Sequence, residues 1–412
     1  MTAARQMTAA PQIKRRMQSL VAALGIVCAA GCADGEDGMG PDTDTHAPIS
    51  AYAAWANGPS PDPAYFPIGV WVQSPANAGR YQQIGVNLFV GLWQGPTEAQ
   101  LAELSAAGMR VICAQNEVGL AHVADPTIAG WMHADEPDNA QPLPGDGGYG
   151  PAVDPAVLQT DYDRMKMADP TRPVWLNLGQ GVANEAWVGR GGPRQDYPRY
   201  VATTDIVSYD IYPVAGIRKS DGEQYLWYVA KGVDSLRHWA TDGQPVWNVI
   251  ETTRINAERG PTPEQVRAEV WMSIIHGSTG IVYFCHEWNP VFREARLLED
   301  DAMRVGVGAV NARIQRLAPV LNAAPIAGVS TVTDDASVPV DVLAKSHAGD
   351  AWIMAVAMRT GVTTATFTLP GAGSGRVEVV DEARVIQMKE GVFQDDFAAD
   401  YAVHVYRIAD AG

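Results

Sequence analysis

The chain has 412 residues, 47% of them hydrophobic, and sets 30 Lys and Arg against 47 Asp and Glu for a formal net charge of −17. So acidic a surface repels phosphate backbones and anionic lipid headgroups, which argues against nucleic acid and polyanionic substrates and leaves neutral ligands open, although the same charge also serves plain solubility. The four cysteines show no zinc-binding spacing.

Residues 1–32 read as a leader, because Lys14-Arg15-Arg16 precedes an apolar run over 20–30 that is too short to span a bilayer. Ala29-Ala30-Gly31-Cys32 resembles a bacterial lipobox, which implies a lipid on Cys32 and export to the cell envelope, the outer membrane first. Ala29 stands where that motif usually has Leu or Val, so simple secretion is the second reading. Without the leader the chain carries 26 basic and 47 acidic groups, a net −21. Residues 33–61 form a tether and lead-in, its first part rich in Gly, Asp, Pro and Thr and too polar to bury a core.

Eight nearly continuous apolar runs follow, at 68–72, 86–92, 110–115, 128–134, 174–178, 205–212, 246–250 and 281–286. They are rich in Val, Ile, Trp, Tyr and Phe, as strands covered on both faces are. Helix-like stretches alternate with them, clearest at 97–107, 157–168, 223–241, 263–277 and 300–322, while the interval 116–126 predicts only a short or irregular crossover. Thr262-Pro263-Glu264 supplies a capping hydroxyl and a first-turn proline. Eight alternations predict an α/β fold, a (β/α)8 TIM barrel over 62–325. Beyond it, short segments at 340–344, 351–358, 363–369, 376–380 and 403–408 predict a small antiparallel β-sandwich over 326–412. Its expected work is packing, with Trp352 the one aromatic suited to stacking on a sugar. Cys113 and Cys285 fall inside strands, as buried thiols first and as a disulfide second.

Two glutamates end apolar runs and stand 115 positions apart: Glu136 closes Ile-Ala-Gly-Trp-Met-His-Ala-Asp-Glu, and Glu251 closes Pro-Val-Trp-Asn-Val-Ile-Glu. A carboxyl is costly in such a segment unless it is paired or used, and cleavage of a glycosidic bond is the chemistry that most needs two. In a barrel of this kind the carboxyl ends of the strands share one mouth.

With Glu136 after strand four and Glu251 after strand seven, the chain resembles the clan A retaining glycoside hydrolases, with no family within the clan singled out. The resemblance implies Glu136 as acid/base and Glu251 as nucleophile in a double displacement on a neutral, β-linked glycan. One position departs: the clan's Asn before the first glutamate is Asp135 here, which can accept from a sugar hydroxyl but not donate. Asp135 can itself be the acid, or can raise the pKa of Glu136 by repulsion. Asp138 reads as a loop or helix-start residue. The clan's tyrosine after strand six, which bonds the nucleophile, is matched by either Tyr209 or Tyr212, and its sugar platform after strand eight by Trp288. His133, Asn177, Trp71, Trp93 and His286 end other strands and are candidate subsite lining, as are Gln115 and Asn116.

Two other classes use the same residues. His133, Asp135, His286 and Glu287 are metal-ligand types near one mouth, suiting a metal-dependent hydrolase, but strand one reads Gly69-Val70-Trp71-Val72-Gln73 and lacks the His-x-His pair of amidohydrolases. A catalytically inactive surface glycan-binding lipoprotein would be marked by a missing carboxylate, and both carboxylates are present. No cofactor or metal is expected. The partner is an oligo- or polysaccharide, the only membrane contact is the lipid at Cys32, and the chain is expected to be a monomer.

Overall fold

A computed structural model describes residues 50–143, 145, 147–185, 193–216 and 222–409. The leader over 1–32, the lipid site at Cys32 and the tether up to residue 49 lie outside the described residues. No helix among the described residues is long and apolar enough to cross a membrane.

Eight parallel strands close into a barrel: β1 (Ile68–Trp71), β2 (Leu88–Val90), β3 (Arg110–Ala114), β4 (Ile128–Met132), β5 (Val174–Leu178), β6 (Ile206–Asp210), β7 (Val246–Glu251) and β8 (Gly280–Phe284). Closure is made by β8 on β1, with Ile281 opposite Ile68 and Tyr283 opposite Val70. Alternation along each strand sends one set of side chains inward and the other outward to the helices. Trp71, Val90, Ile112, Ala129, Trp175, Ile206, Trp247, Val249, Val282 and Phe284 belong to the interior cluster. Val70, Val111, Trp131, Leu176, Val207, Tyr209, Ile250 and Tyr283 belong to the outer one. Tyr52, from the turn Ala51–Ala54, plugs the interior from below, accepting from Trp247 Nε1 at 2.8 Å and donating to the Thr279 carbonyl at 2.9 Å. The described part of the lead-in that carries Tyr52 therefore belongs to the barrel floor.

The helices are α1 (Ala78–Gln82), α2 (Glu98–Ala106), α3 (Glu117–Ala121), α4 (Pro155–Ala168), α5 (Tyr197–Val201), α6 (Tyr228–Trp239), α7 (Pro263–Ile275), α8 (Arg296–Glu299) and α9 (Asp301–Leu321). Thr97 with Gln100, and Thr262 with Gln265, close capping boxes at α2 and α7. The weak crossover at 116–126 is the five-residue α3, capped by Asn116. Cys113 and Cys285 are free and buried, and burial pushes both thiols up to about 12.

Among the described residues nine strands follow: β9 (Ala324–Pro325), β10 (Ser330–Thr333), β11 (Val340–His347), β12 (Asp350–Ala357), β13 (Thr363–Thr368), β14 (Gly375–Val379), β15 (Arg384–Met388), β16 (Val392–Phe397) and β17 (Val403–Ile408). They form a three-stranded sheet, β10-β13-β16, and a six-stranded sheet, β15-β14-β17-β12-β11-β9. Ile353, Phe367, Phe393, Phe397 and Tyr406 fill the space between them. The other face of the large sheet, through Met354, Val356 and Val405, joins the barrel's outer cluster, and Trp352 packs there too. Caught between β7 and that sheet, α7 is buried from Ala268 through Ile275 without a break. A helix covered on all sides has no polar stripe to show, unlike the amphipathic α6.

Candidate active site

The backbone is strained where the strands open into loops. Val72, Gln94, Glu136 and Ile255 have φ of 45°, 53°, 43° and 54°, and each follows the carboxyl end of a barrel strand. Left-handed backbone at a β-branched or bulky residue costs on the order of 1 kcal/mol or more and persists only where the surroundings enforce it, which happens most often at functional sites.

Glu136 is held by its own N–H donating to the Asn177 carbonyl at 3.1 Å. Its carboxyl occupies space that exists because residue 179 is glycine: a Cβ there would lie 3.0 Å from Glu136 Oε1 and 2.7 Å from Asn139 Nδ2. Asp138, which is completely buried, ties this loop down by accepting from the Gly179 N–H and the Tyr197 hydroxyl, both at 2.9 Å. Burial raises Asp138 to about 7 against those two hydrogen bonds.

Two further acids join Glu136. On β6, Ile206 faces inward and Val207 and Tyr209 outward, so Ser208 and Asp210 point into the barrel. The Asp210 carboxyl touches that of Glu136 and accepts from the Tyr212 hydroxyl at 2.8 Å. Asp135 accepts from Asn177 Nδ2 at 3.1 Å, and Asn177 in turn accepts from Ser208 at 2.8 Å. Asp135 keeps exposed surface yet is ringed by protein, and its carboxyl is raised to about 8, by burial first and by Glu136 second. Asp210 is pushed well above the carboxylate range by burial and then by Glu136 and Asp135. Asp135 and Asp210 therefore hold protons near neutral pH.

Glu251 ends β7 in different surroundings. It is completely buried, and its two oxygens accept from the backbone N–H groups of Val214 at 2.6 Å and Ala215 at 2.8 Å, on the loop that follows β6. Burial lifts it to about 7, opposed by those two donors. Its carboxyl also lies within hydrogen-bonding reach of Glu269, a buried residue of α7.

Aromatic rings cover the side of the mouth next to β8. Phe284 lies 5.1 Å from Tyr212 and 5.8 Å from Trp288; His286 stacks on Trp288 at 5.5 Å and on Phe292 at 5.9 Å. Phe292 is 56% exposed and Trp93, beyond β2, 45%, so both offer open ring surface. Burial lowers His286 to about 4, leaving a neutral ring that can accept from Gln73 Nε2 at 3.3 Å.

Of the residues singled out in the sequence, Asp135, Glu136, Asn177 and Tyr212 come together at the mouth, with Trp288 and His286 packed on Phe284, which in turn packs on Tyr212. Trp71 tilts against Trp175, with 5.6 Å between ring centroids, in the barrel interior. Two turn away. Tyr209 is buried under α6, where its hydroxyl donates to the carbonyls of Val229 and Tyr228. His133 is bonded to the Thr203 carbonyl at 2.9 Å, outside the barrel. A register shift between β3 and β4 opposite Val111 and Ile112 puts Trp131, and His133 after it, on the outer face. Tyr212 bonds Asp210 in place of Glu251, whose donors are backbone amides. Gln115 reaches the Met165 carbonyl of α4. No three His, Cys, Asp or Glu side chains among the described residues are grouped as a metal ion would need. Asp210 went unselected in the sequence, although the alternation that turns Tyr209 outward turns Asp210 inward.

Residues 156–298 match the model of a family described as beta-galactosidase, glycoside hydrolase family 42. The match takes in Asp210, Tyr212, Glu251, Glu269 and Trp288 and begins after Glu136. It agrees with a clan A glycoside hydrolase barrel with the family within the clan open. No curated protein matches the chain in sequence. Among solved structures, an alpha-amylase from Lactobacillus plantarum is 13% identical over 84% of this chain and 99% of its own, with a TM-score of 0.47. A glycoside hydrolase family 30 subfamily 8 xylanase from Clostridium acetobutylicum is 13% identical over 83% of this chain and 96% of its own, with a TM-score of 0.46.

Proposed function

We propose that the protein is a glycoside hydrolase that cleaves a neutral, β-linked glycan with retention of configuration, Glu251 acting as nucleophile and Glu136 as acid/base. One observation carries the reading: Glu251, inside the segment that matches a glycoside hydrolase family, ends β7 with two backbone N–H groups on its carboxylate, while a proton-holding group of acids ends β4 and β6. The nucleophile must be ionised, and two charge-assisted hydrogen bonds favour that form. The leaving oxygen must be protonated, and crowded carboxyls keep a proton at hand.

In the first step a Glu251 oxygen bonds to the anomeric carbon as its bond to the glycosidic oxygen breaks, and Glu136 passes its proton to that oxygen. In the second, water attacks the same carbon, gives a proton to Glu136 and displaces Glu251. Trp288 and Phe292 supply apolar ring surface for the C–H face of a sugar. The net charge of −17 suits a neutral substrate. Export, a lipid at Cys32 and a monomeric state belong to the same proposal.

The test is turnover of a panel of 4-nitrophenyl β-glycosides by wild type and Glu251→Ala. The variant loses turnover and regains part of it in azide or formate, giving a product of inverted configuration. Unchanged activity in Glu251→Ala removes the nucleophile assignment. A second reading, a glycan-binding barrel without turnover, is favoured by the complete burial of Glu251, since the loop 213–216 must draw back before a sugar reaches it. Oligosaccharide binding with no product, unaffected by Glu251→Gln, would establish that reading.

A further inference from the structure

We infer that Glu269 is a positioning residue for Glu251: a neutral carboxylic acid, presented from the outer helix α7, that donates its proton in a hydrogen bond to the Glu251 carboxylate. The inference rests on the reading of Glu251 as nucleophile.

Glu269 is completely buried on a helix that is itself buried from Ala268 through Ile275, and neither of its carboxyl oxygens receives a hydrogen bond from a donor among the described residues. The group it reaches is Glu251, equally buried. Two ionised carboxylates in contact inside a protein repel each other with no proton between them to bridge the contact, so the pair holds at least one proton. The donors decide which member holds it. Glu251 has two backbone N–H groups on its oxygens and Glu269 has none, so charge is better tolerated on Glu251. With the proton on Glu269, its O–H supplies a third hydrogen bond to Glu251, and the strongest interaction open to each group is made. Burial and the charge of Glu251 both push Glu269 far above the carboxylate range, as the assignment requires. The contact also sets geometry, because α7 is clamped between β7 and the β-sandwich and fixes where the Glu251 carboxylate lies.

Infrared difference spectroscopy at pH 7 reads the proton without any substrate. Wild type minus Glu269→Gln is expected to show the carbonyl band of a neutral carboxylic acid, and that band is expected to survive in Glu251→Gln. No such band, or its loss in Glu251→Gln alone, overturns the assignment. Turnover of 4-nitrophenyl β-glycosides then separates positioning from mere packing. Glu269→Gln, which keeps an N–H donor, retains kcat within about fivefold, whereas Glu269→Leu loses about 10- to 100-fold in kcat with little change in KM, and the acid limb of its kcat/KM profile moves to higher pH. Equal losses in the two variants, with thermal unfolding unchanged in both, also overturn it. If Glu251→Ala proves as active as wild type, the nucleophile reading fails, and the infrared band still reports on the proton.

Discussion

His276 joins the two halves of the fold and makes their stability depend on pH. It follows α7 with both ring nitrogens engaged, Nδ1 on Asp234 of α6 at 2.9 Å and Nε2 on Asp341 of β11 at 3.1 Å. Burial alone would lower the imidazole, but the two aspartates outweigh it and carry the group from 6.5 up to about 9. That displacement corresponds to about 3 kcal/mol as an upper bound. The aspartate side chains are 56% and 41% exposed, and solvent screening reduces the expected contribution to about 1–2 kcal/mol. The folded pKa lies above the unfolded one, so the folded state holds the proton more tightly. The contribution is complete below about pH 6.5 and is lost as pH rises through about 9. Urea unfolding of wild type and His276→Gln across pH 6–10 measures it. Wild type is expected to be the more stable by about 1–2 kcal/mol at pH 6 and to lose that advantage by about pH 10. Parallel curves for the two proteins across this range would refute the reasoning.

Three other perturbations follow from the contacts described. Glu136→Ala is expected to slow substrates with poor leaving groups by about 100-fold or more while activated aryl glycosides suffer less; equal losses on both would assign Glu136 a structural role. Gly232→Ala puts a Cβ 2.1 Å from Cζ of the buried Tyr209. The gain in helix propensity, about 1 kcal/mol, is outweighed by overpacking and broken Tyr209 hydrogen bonds, for a net loss of about 2–3 kcal/mol. Denaturation should show that loss and its partial recovery with Tyr209→Leu, and a stabilised Gly232→Ala would contradict the packing. Trp288→Ala is expected to raise KM about tenfold with a smaller effect on kcat, through loss of the ring face; unchanged KM would take Trp288 out of the sugar platform.

Much of the architecture is written in local pattern. Continuous apolar runs such as 174–178 and 246–250 can be satisfied only with cover on both faces, and eight of them separated by helical stretches leave a closed parallel barrel as the economical answer. The strands β10, β15 and β16 escaped because at least half the residues of each are exposed or only partly buried, which weakens their apolar signal. Period-two alternation puts Tyr209 on the face of Val207, which only the structure shows to be the face turned to the helices.

The sequence by itself determined the eight barrel strands in their order and the acids that follow the fourth and end the seventh, because periodicity and the cost of an idle carboxyl in an apolar run are local matters. Only tertiary structure decided which acids meet. A register shift of one residue between β3 and β4 turned His133 outward, and the loop after β6 brought two amides onto Glu251. A helix 18 positions further along the chain set Glu269 against the same carboxylate. Such meetings depend on how distant backbones close around one mouth, and no local pattern carries that information.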